Sequence, residues 1–167
     1  MQINDEKIAE LSLGQNLISP FCEELLNPHS YDVTLGARFK KAITYDLYGR
    51  GWEDYNGSVI IKPYEFWLGD TLEFFKIPRG LVGFVQGKST IGRNGLQIEC
   101  AGLIDAGFSG TITLEFFNMA PWPIRLTPGM RIGQIHFSEA EEPKLKFYEE
   151  IGSYNGQTGP KEPKYLI

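Results

Sequence analysis

Between positions 87 and 118 the chain reads GKSTIGRNGLQIECAGLIDAGFSGTITLEFFN, and this stretch gathers Lys88, Ser89, Thr90, Arg93, Asp105 and Glu115. Cations and turn amides suit a phosphate. A carboxylate can move a proton of water, and hydroxyl or guanidinium donors can meet the charge that develops. Two cations, a hydroxyl pair and two separated carboxylates are the mixture that hydrolysis of a phosphorylated small molecule requires.

The spacing says which element presents Glu115. Thr111-Ile112-Thr113-Leu114-Glu115-Phe116 alternates polar and apolar and reads as a half-buried strand. Side chains on a strand alternate between faces, so Ile112, Leu114 and Phe116 point to the core and Thr111, Thr113 and Glu115 share the other side. Two readings of Glu115 follow: a solvated face of an antiparallel strand, or a proton shuttle in a pocket. Asp105 lies ten residues earlier, across a turn bracketed by Gly107 and Gly110.

Several chemistries are set aside. Zinc deaminases carry H-x-E with P-C-x-x-C, and nothing here matches, so no zinc is expected. His29 and His136 are isolated and read as structural; no Ser-His-Asp or Cys-His arrangement is evident. GKST at 87–90 is not a Walker loop, because position 82 is Val where that motif needs Gly. A formal net charge of −5 argues against a nucleic-acid polymer as partner, though not against one bound nucleotide. Cys22 and Cys100 are too few and too distant for a disulfide framework, and no apolar run of membrane-spanning length appears; a reducing cytoplasmic setting is the expectation.

The elements that must carry these residues are short. Asn4 or Asp5 caps a helix through about Leu11, and residues 12–29 read as irregular. Ser30 to Gly36 alternates as a strand, with Tyr31, Val33 and Leu35 inward and Ser30, Asp32 and Thr34 outward. Asp32 reads as a structural or turn-edge hydrogen-bonding group before it reads as a site residue. Residues 45–58 form an exposed loop or hairpin, and brief apolar runs recur to Phe137 between Gly and Pro turns. Many short strands at roughly ten-residue spacing indicate an all-β barrel or sandwich. All 167 residues suit one domain. The tail, about 153–167, is either frayed or a lid that orders over ligand.

SYDVTLGARF at 30–39, GKSTIGRNGL at 87–96, the run 101–118, GMRIGQ at 129–134 and YNGQTGP at 154–160 stand in one order and spacing. With them the chain resembles the dCTP deaminase branch of the trimeric dUTPase superfamily, which includes bifunctional deaminase/dUTPase members. The resemblance implies an all-β, distorted β-barrel of the dUTPase-like or β-clip kind, with a short N-terminal helix and a mobile C-terminal tail. It implies a homotrimer with active sites at subunit interfaces. It implies hydrolytic deamination of dCTP to dUTP and ammonia, with Mg2+ arriving on the triphosphate. By resemblance Glu115 falls on the catalytic glutamate, and Ser89 and Arg93 on supports for the water and the base. The run Lys88, Ser89, Thr90, Ile91, Gly92, Arg93 binds substrate, as do the Ala101 backbone and Thr113-Leu114-Glu115. Asp105 meets the deoxyribose, and Phe108 stacks near the sugar. Gln134, Tyr148 and Gln157 contact nucleotide or phosphate.

Plain trimeric dUTPases generally carry an apolar residue where Glu115 stands, so its presence favours deamination. The chain departs from the family pattern in having Lys88 for an Arg and Ser153 for a tail Lys, with Lys161 or Lys164 as substitutes. The leading expectation is a dCTP deaminase. The alternative is a bifunctional enzyme in which Asp105 activates a second water, giving dUMP and pyrophosphate. A non-catalytic nucleotide-binding relative is the third reading.

Overall fold

A computed structural model of the chain describes residues 1–44, 50–99 and 102–164. In chain order they form α1 (Asp5–Gln15), β1 (Ile18–Ser19), β2 (Leu26–Asn27), β3 (Ser30–Thr44), β4 (Arg50–Asn56), β5 (Val59–Ile61), β6 (Phe66–Lys76) and β7 (Leu81–Gly87). The second half adds α2 (Ser89–Gly92), β8 (Leu96–Glu99), β9 (Leu103–Ile104), β10 (Ser109–Asn118), β11 (Ile124–Leu126), β12 (Arg131–Glu139) and α3 (Tyr148–Ile151).

The Asn4 side chain accepts from the Lys7 amide, as an N-cap should. The helix runs one turn past the expected end at Leu11. It stops where Asn16 adopts φ 57° and its amide reaches back to Leu11 and Ser12. The stretch after it is less irregular than its composition indicates, since β1 pairs with β6 and β2 with β3.

The main sheet has the order β8-β10-β6-β3-β12-β7-β9, with antiparallel pairing throughout; β5 and β11 make a separate pair. β8 and β9 are successive strands, yet they sit at opposite ends of this path. Six inter-strand spacings of about 4.8 Å would put them nearly 30 Å apart in a flat sheet. Four peptide steps from Glu99 to Leu103 reach at most about 15 Å. The sheet must therefore curl until its ends approach, and it does: Val85 of β7 donates to the Gly102 carbonyl at 3.1 Å, and a Cβ on Gly87 would stand 3.4 Å from Ile98 of β8. This is the distorted barrel that the resemblance implies; the strand pattern alone left barrel and sandwich open.

Tyr31, Phe39, Phe75, Leu114, Phe116 and Phe137 fill its interior and are essentially inaccessible. The packing leaves no room at Gly69, where a Cβ would lie 2.7 Å from the Phe116 ring and 3.2 Å from Phe39.

β3 departs from simple alternation. Its polar positions Asp32 and Thr34 are buried rather than outward. The strand is covered on both faces: Thr34 donates through its amide and its hydroxyl to Glu73 of β6, and Asp32 is held by Lys88, Asn27 and Arg131. Glu73 is 1% exposed, and among the described residues Thr34 is the one other residue that donates to its carboxylate. Burial raises its carboxyl pKa above 4.5, and the Thr34 donors oppose that only in part. The folded chain therefore keeps this proton to higher pH than the unfolded chain does, and stability falls as pH rises through that interval. Glu73→Gln should flatten the fall. Denaturant midpoints from about pH 4 to about pH 8 would show it, and identical pH slopes in parent and variant would refute it.

Candidate functional site

A cleft of about 580 Å3 opens on the outer face of β10. Thr113 and Glu115 line it while Leu114 and Phe116 go inward, as the alternation predicts; before them the alternation breaks, since Ile112 also lines the cleft, Thr111 is buried, and the β10–β6 register shifts between Thr111 and Thr113. Glu115 is half-buried, so its surroundings are those of a pocket and not of an open strand face. Leu114 belongs to the core, which leaves its backbone between the two cleft-facing neighbours.

The turn before β10 supplies the next group. Phe108 donates its amide to the Asp105 carbonyl at 3.1 Å, and Gly107 takes φ 90°. That is a type II turn, in which the third position needs positive φ and so selects glycine. The turn leaves Asp105 exposed at the cleft and folds Phe108 inward to line it. Tyr148 of α3 lies against Phe108, with ring centroids 5.9 Å apart and planes tilted 59°. Burial raises the Tyr148 phenol pKa; the Asp105 charge adds to the rise, and a hydrogen bond with the Tyr154 backbone opposes it. The phenol is thus a neutral donor at physiological pH.

The tail closes one side, and residues 155–161 are docked rather than frayed. The Asn155 side chain accepts from the Ser109 amide at 2.9 Å. Gln157 forms a parallel bridge to Gly110, and its Nε2 donates to the Thr111 carbonyl at 2.7 Å. The Lys161 amide donates to the Thr113 hydroxyl at 3.1 Å. Gln157, Tyr154 and Lys161 all line the cleft. Much of the remaining lining is apolar, with Trp52 of β4, Phe66 and Leu68 of β6, and Leu103 and Ile104 of β9.

Five expected site residues therefore meet around Glu115: Asp105, Phe108, Thr113, Tyr148 and Gln157. A second group does not join them within the chain. Ser89, Thr90, Gly92 and Arg93 are exposed on or beside α2, and Ile91 packs against the core. Lys88 and Gln134 lie near them, Gln134 being in register with Asp32. None of these lines the Glu115 cleft. The reason is visible in the pairing: Glu115 faces Glu99 in the β10–β8 ladder, and α2 precedes Leu96 at the far end, opposite Asn118. The Ala101 backbone position lies outside the described residues, as do positions 45–49 of the expected loop; the part from 50 onward is β4, hairpin partner of β3.

Tyr154 and the apolar wall carried no sequence signal that separates them from ordinary core or loop aromatics. Lys161 stood only as a possible substitute for the missing tail Lys. Among the described residues, no three His, Cys, Asp or Glu side chains cluster in a way that could hold a metal ion.

A family model described as dCTP deaminase-like matches residues 2–140. The chain belongs to the dCTP deaminase family. A relative from Persephonella marina, named dCTP deaminase, dUMP-forming, is 40% identical over 180 residues, covering 100% of this chain and 98% of its own. One from Mycobacterium tuberculosis with the same name is 39% identical over 177 residues, covering 96% and 93%. Among solved structures, a dCTP deaminase from Agrobacterium tumefaciens superposes with a TM-score of 0.71 at 19% identity, over 83% of this chain and 48% of that one. A dUTPase of Staphylococcus phage 80alpha gives 0.52 at 21% identity, over 76% and 86%. These two likenesses are of fold.

Proposed function

We propose that this chain hydrolyses dCTP to ammonia and dUTP without zinc, and goes on to cleave the dUTP to dUMP and pyrophosphate. The observation that carries the deaminase reading is the half-buried Glu115 carboxylate facing a nucleotide-sized cleft beside Asp105, Phe108, Tyr148 and Gln157.

In this reading Glu115 takes a proton from water as its oxygen adds to C4 of the cytosine. The carboxyl group then returns a proton to the 4-amino group, the C–N bond breaks, and ammonia leaves the uracil product. Arg93 and Ser89 stabilise the charge on the tetrahedral intermediate. Because they do not line the cleft of their own chain, they come from a neighbouring copy in a homotrimer, which makes each site a shared one. Phe108 packs on the sugar, and Asp105 bonds its 3′ side or activates the second water. Gln134, Lys88 and the tail face the triphosphate, which brings Mg2+ as part of the substrate.

The second step is favoured by the names of relatives that are 39–40% identical over nearly the whole chain, and by Asp105 standing in the same cleft. Incubation with dCTP and Mg2+, following both products, tests it. Pyrophosphate is expected to appear in step with ammonia; accumulation of dUTP as the end product would leave a deaminase alone, and binding without turnover would leave a nucleotide-binding protein.

A further inference from the structure

Asp70 is a carboxylate in an unusual place, 1% exposed in the middle of β6. Burying a charge there is costly unless it is paired. Its partner is Arg38 of β3, whose Nη2 donates to Oδ2 at 2.8 Å while half of the Arg38 side chain stays in solvent. The Oδ1 atom has no hydrogen-bond partner among the described residues. Room for it exists because position 36 is glycine: a Cβ there would fall 2.4 Å from Oδ1.

This ion pair lies under the tail. Gly159, with φ 83°, passes so close that a Cβ on it would sit 3.1 Å from the Arg38 guanidinium carbon. The Gly159 amide donates to the Thr111 hydroxyl at 3.0 Å. Burial raises the Asp70 pKa, and the Arg38 charge works against that rise. Four elements therefore meet around one buried ion pair: β6 supplies Asp70, β3 supplies Arg38, the tail packs Gly159 on Arg38, and β10 holds Gly159 through Thr111. Two residues before Gly159 stands Gln157, and two after it Lys161, both in the cleft wall.

We infer that Asp70, through Arg38, Thr111 and Gly159, is the latch that fixes the C-terminal tail on its own β10, and so acts as a positioning residue for the substrate contacts of Gln157, Tyr154 and Lys161. The inference rests on the deaminase reading for its kinetic consequence, but not for its structural one. By contrast, the tail's other charged anchor, Glu162 to Lys40, is exposed and contributes little.

The test uses Asp70→Asn and, from the solvent side of the pair, Arg38→Gln. In the free protein, hydrogen exchange of a peptide spanning 153–164 is expected to quicken about tenfold in both variants, while β6 and β12 keep their protection. KM for dCTP should rise about tenfold with kcat within about twofold, since the tail is loosened and the chemical groups are untouched. Combining Asp70→Asn with Gln157→Ala should raise KM by less than the product of the two single effects. Unchanged tail exchange in Arg38→Gln would overturn the latch, whatever Asp70→Asn does to folding. Quickened exchange with unchanged KM would overturn the positioning role. Neither result bears on the deaminase reading, which fails separately if Glu115→Gln remains active.

Discussion

Glu115→Gln is expected to lower ammonia release from dCTP by about a thousandfold. Glutamine keeps the size of the side chain and a hydrogen-bonding oxygen, but it cannot accept the proton of the attacking water. The strand that carries position 115 is set by Ile112, Leu114 and Phe116, which are buried and unaltered, so assembly and fold should persist. dCTP affinity should stay within about threefold, because an isosteric change removes a transition-state interaction and not a ground-state one. The variant also separates the two chemical steps. Supplied with dUTP directly, it should still release pyrophosphate if Asp105 handles the second water. Ammonia release within about tenfold of the parent would remove Glu115 from the mechanism.

Mixing two inactive variants should restore activity. Arg93→Ala is expected to cost about a hundredfold or more in ammonia release, as loss of a donor to the developing charge does. Glu115→Gln is inactive for the reason above. In this chain Arg93 is exposed beside α2 and does not line the β10 cleft in which Glu115 sits. If a site takes its glutamate from one copy and its arginine from the next, co-refolded or co-expressed variants form some sites with both residues intact. Random assembly of equal amounts gives about a quarter of parental activity. A mixture no more active than the two variants alone would show that the two residues do not cooperate across copies. Recovery would also locate the interface, since it must bring α2 of one copy over the cleft of another.

Much of this was legible in the residues. The period-two alternation from Thr111 to Phe116 placed Glu115 and Thr113 on one face, because a strand has two faces and one was plainly apolar. The Gly107 turn was legible because positive φ selects glycine. The family resemblance named Tyr148 and Gln157, which no local pattern distinguishes, and both line the cleft.

Other features were hidden for physical reasons. Asp32 reads as outward on an alternating strand, yet it is buried, and so are Asp70 and Glu73. Alternation reports only which side of a strand a residue occupies. It cannot report that the curled sheet, α2 and the tail cover the second side as well. The tail itself, rich in Gly and Pro with little apolar content, looks like disorder; it is held by backbone bonds to β10, for which composition carries no signal.

The sequence by itself determined the all-β class, the strand that presents Glu115, the turn that presents Asp105 and the family. Those depend on interactions within about ten residues, or on motifs read in order. The tertiary structure alone decided that Glu115 lies in a cleft, that Lys88 to Arg93 lie outside it, and that the tail is latched over a buried ion pair. Each of these depends on where the curl of the sheet brings distant strands, which is a property of the closed chain and not of any segment.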